Sequence, residues 1–270
     1  MRALLLAPTW LWLVLFVAAP AGLLLVIALA SVREGVPPFA FALDTTSLSA
    51  LADPFYLHGL AGSLAIGAAT ALGTMIVGYP MALAIARATP RRRGVLLLLL
   101  IMLPFWSGML LRLTAWIGIL RDEGWLNDAL LAAALIDAPL PMLHGDGAMM
   151  LGLVSSYLPF FVLPVQARLS AADPTLVEAA ADLGATPWRV FRRVTWPLGL
   201  PGVWAGLALV FVPASGEYVI PELLGSPATP TLARAIWDEF FRNGDWPQAS
   251  ALAVALLVLL LVPALALRRA

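Results

Sequence analysis

Long apolar stretches separated by short polar connections dominate this chain of 270 residues. A helix needs roughly 20 mostly apolar residues to cross a bilayer. Six stretches reach that length: Thr9–Ser31, Leu60–Ala86, Val95–Leu120, Met149–Arg168, Gly202–Ile220 and Gln248–Leu267. They predict an all-α membrane protein with six transmembrane helices, forming a single transmembrane domain over residues 1–270. Several spans contain proline: Pro20, Pro80, Pro104, Pro159, Pro164, Pro213 and Pro263. In water these would break helices. Inside a bundle, neighbouring helices and water-lined cavities satisfy the carbonyls that proline frees. Ala28-Leu29-Ala30 looks like a signal cleavage site, but the first stretch exceeds the roughly 7–15-residue apolar core of a secretory signal. It is read as a span.

Composition agrees with a bilayer. The chain is 61% hydrophobic and 12% charged, about half the charged share of roughly 25% in soluble domains. Cysteine is absent, which excludes disulfides, thiolate metal sites and cysteine nucleophiles. His58 and His144 stand alone in connections, without metal-ligand spacing. The net charge is zero, yet the charges are sorted. Arg2, Arg87, Arg91, Arg92, Arg93, Arg168, Arg189, Arg192, Arg193, Arg268 and Arg269 would share one side, against Arg33, Arg121, Arg234 and Arg242 on the other. The positive-inside rule makes the first side, with both termini, cytoplasmic.

The cytoplasmic connection 169–201 has the most informative local pattern. Residues 173–184 read DPTLVEAAADLG, and 185–197 read ATPWRVFRRVTWP. Asp173 suits an N-cap and Pro174 a first helical position. Gly184 suits the left-handed residue that ends a helix. Thr186 and Pro187 repeat the cap-and-proline start, so a second helix should lead into the fifth span. On the first helix, Val177, Ala180, Ala181 and Gly184 fall on one side, small enough for another protein to approach. Glu178 and Asp182 form an acidic edge.

Glu178-Ala179-Ala180, Gly184 and Pro197 together resemble the EAA loop of ABC importer permeases, with Trp196-Pro197 where that family usually has Leu-Pro. The resemblance extends to PFWSGMLLRLTAW at 104–116, RDEGWLN at 121–127, YLPFFVLP at 157–164 and GEYVIPELLG at 216–225, and to Trp237-Asp-Glu-Phe-Phe and Asp245-Trp-Pro. These segments are similar to permeases of the spermidine/putrescine (PotB/PotH-like) type, over nearly the whole chain. The resemblance implies a type I ABC importer permease bundle in the bacterial inner membrane. Glu178, Ala179, Ala180, Asp182 and Gly184 would form a coupling helix docked on an ATPase. Implied partners are two ATP-binding cassette subunits carrying ATP and Mg, a second permease, a periplasmic solute-binding protein and membrane lipid. No nucleic acid, metal or cofactor is expected on this chain. It lacks a G-x-x-x-x-G-K-[ST] phosphate loop, so it is expected to be a transport subunit rather than an enzyme. Putrescine or spermidine is the expected solute. Opines, thiamine and ferric iron are the alternatives within the same importer class.

Glu217 is the one acidic residue inside a predicted span, where an ionised carboxylate should face the bundle interior or water. Two readings stand: a site on the solute path attracting a cationic amine, or a structural partner of Arg112 or cap of a kinked helix. Pro213, Ser215 and Gly216 suggest a distorted helix there. Arg112 would repel a polyamine, which favours a structural or gating role, or a side chain snorkelling to the surface. Trp106, Trp116, Tyr157 and Tyr218 are candidates for an aromatic lining that attracts ammonium groups, or for ordinary packing. The outer connections are acidic, and Thr231–Phe241 has the pattern of a short amphipathic helix. An ion-driven secondary transporter would show internal repeats; none is evident, and the EAA pattern would go unexplained. An intramembrane enzyme would need a histidine or lysine base, and the spans hold neither.

Overall fold

In the computed structural model, residues 2–267 are described, with side chains over 8–261 apart from Arg91. Arg268 and Arg269, counted above for orientation, lie outside the described residues, as does the side chain of Arg2. The described chain is mostly helical. The helices used below are α1 (Pro8–Ala28), α2 (Pro54–Ala86), α3 (Arg91–Trp106), α4 (Met109–Leu120), α5 (Trp125–Ala132), α6 (Asp146–Ser170), α7 (Thr175–Asp182), α8 (Pro187–Ser215), α9 (Val219–Leu224), α10 (Leu232–Trp237) and α11 (Trp246–Leu267). A two-stranded antiparallel hairpin, β1 (Ser31–Val32) with β2 (Phe39–Ala40), follows α1 in register Ser31 to Ala40.

Helices α1, α2, α6 and α8 are each long and apolar enough to cross a membrane. The sixth expected span falls on α11, whose described apolar stretch, Trp246–Leu261, is shorter than those four. The third differs from expectation. Val95–Leu120 is not one straight rod, because α3 stops at Trp106 and the chain turns through 90° before continuing. Proline has no N–H to give the helix at Pro104, and the Ser107 hydroxyl bonds back to the Pro104 carbonyl at 2.7 Å. Gly108 then takes φ +83°, which glycine adopts without a Cβ penalty. The fifth span also stops early. Helix α8 ends at Ser215, and Glu217 lies in the break before α9 rather than within a helix.

The chain divides into two compact units. One comprises residues up to Ser63 together with Pro230–Val262. Its apolar centre is Leu232, Ala235, Leu252 and Leu256 against Leu51, Tyr56 and Leu60. Within it Ser63 Oγ accepts the Leu232 N–H at 2.9 Å, and the Tyr56 hydroxyl donates to Glu239 at 2.7 Å. Gly62 lies so close to the Pro230 carbonyl that no side chain fits between them.

The other unit takes Leu64–Thr229 and the chain from Pro263 onward. Its main seam joins α6 to α8. Phe161, Val162 and Val165 of α6 are fully buried against Val203 and Val210 of α8. Lipid supplies no hydrophobic drive between helices, so close packing must do the work, and small residues permit it. Gly199, Gly202 and Gly206 recur along α8 where the two helices touch. A methyl on Gly202 would stand 2.7 Å from the Pro164 carbonyl oxygen, and one on Gly206 2.9 Å from the Phe161 ring. A second buried group, Leu113, Leu120, Leu153, Ile220 and Leu224, brings α4, α6 and α9 together.

Candidate functional site

Helix α7 starts one residue later than the cap pattern asks, with Pro174 at the N-cap and Asp173 just outside it. Asp173 Oδ1 accepts the Thr175 N–H at 3.0 Å. The Thr175 side chain and this backbone bond hold the Asp173 carboxyl below its usual pKa range. At the other end Gly184 adopts φ +78°. Its N–H bonds the Ala181 carbonyl at 2.8 Å, and the Ala185 N–H reaches back to the Ala180 carbonyl at 3.1 Å. This is the six-to-one, five-to-two pairing of a Schellman end. Thr186 is extended and Pro187 opens α8, so the second helix continues into the fifth span without a break.

Of the small-residue side expected on α7, Ala181 and Gly184 are exposed while Val177 and Ala180 are half-buried and turn inward. Leu176, Ala179 and Leu183 are exposed as well. Leu183 is 89% exposed and Trp188, stacked on Phe191, 69%. Glu178 and Asp182 flank this surface, which is therefore apolar with an acidic edge. Behind α7 a cavity of about 520 Å³ is lined by Val177, Glu178, Asp173, Arg87, Thr195 and Leu198, among others. There Arg87 donates to Thr195 Oγ1 at 2.9 Å, tying the end of α2 to the π-helical turn Phe191–Thr195 of α8. Arg87 and Thr195 meet across 108 residues of chain, and a lone threonine among basic and apolar residues is the sequence signal that marks Thr195.

The second candidate group lies at the α8–α9 break. The Tyr157 hydroxyl donates to Glu217 Oε2 at 2.6 Å, and the Val219 N–H donates to Glu217 Oε1 at 3.0 Å. Glu217 thus accepts the first N–H of α9, whose N-cap position is Tyr218, and is held by a tyrosine 60 residues away in sequence. The Arg112 partnership does not form, since no ion pair joins the two. Ser215 is buried, bonds back to the Phe211 carbonyl at 2.8 Å and packs on Gly67. Tyr218, next in chain to Glu217, is half-buried. Trp106 is not brought to this group; it ends α3 with 81% of its surface exposed.

Arg112 occupies a different place, in the crook between α3 and α4. Its guanidinium carbon is 5.8 Å from the centroid of the Phe105 ring. Trp116 Nε1 donates to Ser155 Oγ at 3.1 Å alongside. Arg112 and Trp116 line a cavity of about 630 Å³ with Leu97, Ile101, Ala115 and Leu158 among the other walls.

Known proteins repeat this architecture. A bacterial alginate ABC transporter, solved with an alginate pentasaccharide-bound periplasmic protein, superimposes with a TM-score of 0.71 at 19% identity, over 97% of this chain and 91% of that one. The spermidine/putrescine transport system permease protein PotB of Haemophilus influenzae is 34% identical over 92% of this chain and 86% of its own length. The PotB protein of Escherichia coli K12 is 34% identical over 92% and 90%. The sequence profile described as "Binding-protein-dependent transport system inner membrane component" matches residues 3–269. A multi-pass helical chain with this fold and these relatives belongs to that family, the membrane-spanning permease subunits of ABC importers.

Proposed function

We propose that this permease carries a small polycationic amine of the putrescine/spermidine class inward, as one half of a pore completed by a second permease chain. The observation that carries the substrate reading is the Glu217 carboxylate, set in a helix break and oriented by Tyr157 and the Val219 N–H. A break at membrane depth is tolerated where backbone is buried in protein or lines a cavity. A fixed anion there would attract an ammonium group, and Tyr157 and Tyr218 offer aromatic faces beside it. The 34% identity to spermidine/putrescine permeases supports the same reading.

Drive comes from outside this chain. Two ATPase subunits would bind ATP with Mg and close on each other. Helix α7 would receive that movement through Leu176, Ala179 and Leu183, with Glu178 and Asp182 on the rim and Ala180 seating the helix from behind. Gly184 sets the angle between α7 and α8, so the movement passes into α8. This orientation puts α7 and both termini in the cytoplasm. A solute-binding protein would deliver solute to the opposite face.

The test is ATP hydrolysis by the full complex in lipid with its binding protein. Putrescine or spermidine should stimulate hydrolysis, while opines, thiamine and ferric iron should not. Glu217→Gln should cut polyamine uptake while the complex still assembles. Stimulation by one of the other solutes alone would overturn the substrate reading and leave the importer intact.

A further inference from the structure

We propose that the cavity around Arg112 binds an anionic phospholipid, with the phosphate on the guanidinium and an acyl chain along the apolar walls. The cavity, at about 630 Å³, falls within the roughly 300–1,000 Å³ of small-molecule pockets. Its walls are almost wholly aliphatic and aromatic, and Arg112 alone among the described lining residues is charged. The other polar groups are already engaged. Trp116 donates to Ser155, and Ser155 donates to the Gly152 carbonyl at 3.0 Å.

Arg112 is not engaged in that way. Its Nε is buried without a hydrogen-bond partner, and its near neighbour is the Phe105 ring. Guanidinium stays charged and offers five donors in a planar fork matched to phosphate. A cation in a membrane-spanning segment that lacks a counter-charge is costly, and draws polar groups of the bilayer toward itself. Glu217, the acid of the fifth predicted span, is committed to Tyr157 and Val219. An anion must therefore come from outside the chain, and the apolar walls select one with a hydrocarbon tail. Leu100 and Phe105, both on the lining, are 55% and 42% exposed, so the cavity is open to the surroundings. In a membrane such an opening is within reach of lipid. The site rests on the Arg112 cavity alone and does not depend on the substrate reading.

The experiment measures phospholipid retained by the full importer after exchange into nanodiscs of phosphatidylcholine with or without phosphatidylglycerol, by native mass spectrometry. Wild type should retain phosphatidylglycerol selectively. Arg112→Gln should weaken that retention about tenfold, the effect of losing one charge-assisted hydrogen bond, and Arg112→Lys should restore part of it. Ala115→Phe, which fills the cavity and keeps the charge, should also lose the lipid. Equal retention by wild type and Ala115→Phe would overturn the proposal, and so would equal retention of the two lipids by wild type. Loss of permease pairing in Arg112→Gln without loss of lipid would also overturn it, by naming an acidic side chain of the second permease as the occupant.

Discussion

Replacing Gly202 by alanine tests whether close backbone approach holds α6 to α8. The added methyl would meet the Pro164 carbonyl oxygen at 2.7 Å, the Val165 Cα at 2.9 Å and the Arg168 Cβ at 3.0 Å. Ordinary contact begins near 3.4 Å, so α8 must withdraw by about 0.7 Å. Two of the three atoms are backbone and the third is a Cβ, so no change of rotamer relieves the contact. A gap of that size forfeits about a quarter to a half of each dispersion contact along the seam. Overpacking of this kind costs about 1–3 kcal/mol, opposed by a helix-propensity gain of up to about 1 kcal/mol for alanine over glycine. The expected net loss is up to about 2 kcal/mol. Gly118 in α4 is the control, since a methyl there meets nothing within 4 Å. Thermal unfolding of the lipid-embedded complex, followed by tryptophan fluorescence, should place Gly202→Ala below wild type and Gly118→Ala at or above it. A Gly202→Ala midpoint equal to or above wild type would refute the packing argument.

Three further outcomes follow from the two candidate groups. Tyr157→Phe removes the 2.6 Å donor from Glu217 and should cost about 1.5–3 kcal/mol of local stability, the range for a hydrogen bond to a charged group; polyamine-stimulated hydrolysis should fall while basal hydrolysis holds, and an unchanged response would detach Tyr157 from transport. Gly184→Ala must hold φ +78° against a left-handed penalty of about 1–2 kcal/mol, so the ratio of solute moved to ATP hydrolysed should drop; a wild-type ratio would show that the turn angle is unimportant. The depressed pKa of Asp173 means its bond to Thr175 contributes fully above the ordinary carboxylate value and is lost as pH falls through the lower folded value; amide exchange at Thr175, referenced to Asp173→Asn, should accelerate only at that acidic end.

Much of the architecture was legible because bilayer thickness imposes its length on each span. Helices α6 and α11 begin two or three residues before their predicted starts and α2 six before, and α2 ends at the predicted Ala86. The two ends of α7 were legible for a different reason: Asp173 and Gly184 act on backbone groups within five residues of themselves. The bend after Trp106 escaped, because hydropathy sees only an unbroken apolar run and nothing local compels Gly108 to use its freedom. The inward face of α7 escaped too. Periodicity sorts Val177 and Ala180 from Leu176 and Leu183, but only the neighbouring helices decide which pair they will cover. Glu217 was identifiable as an oddity among apolar residues, whereas its partner Tyr157 is set by tertiary packing that no spacing rule encodes.

The unbroken helical run from Pro187 to Ser215 has a mechanical consequence. Its 29 residues make a rod about 40 Å long, with the turn at Gly184 just before one end and Glu217 just past the other. The glycine seam fastens it to α6, the helix that also carries Tyr157. A push near Gly184 therefore moves the two helices as one body, and Glu217 travels with its tyrosine.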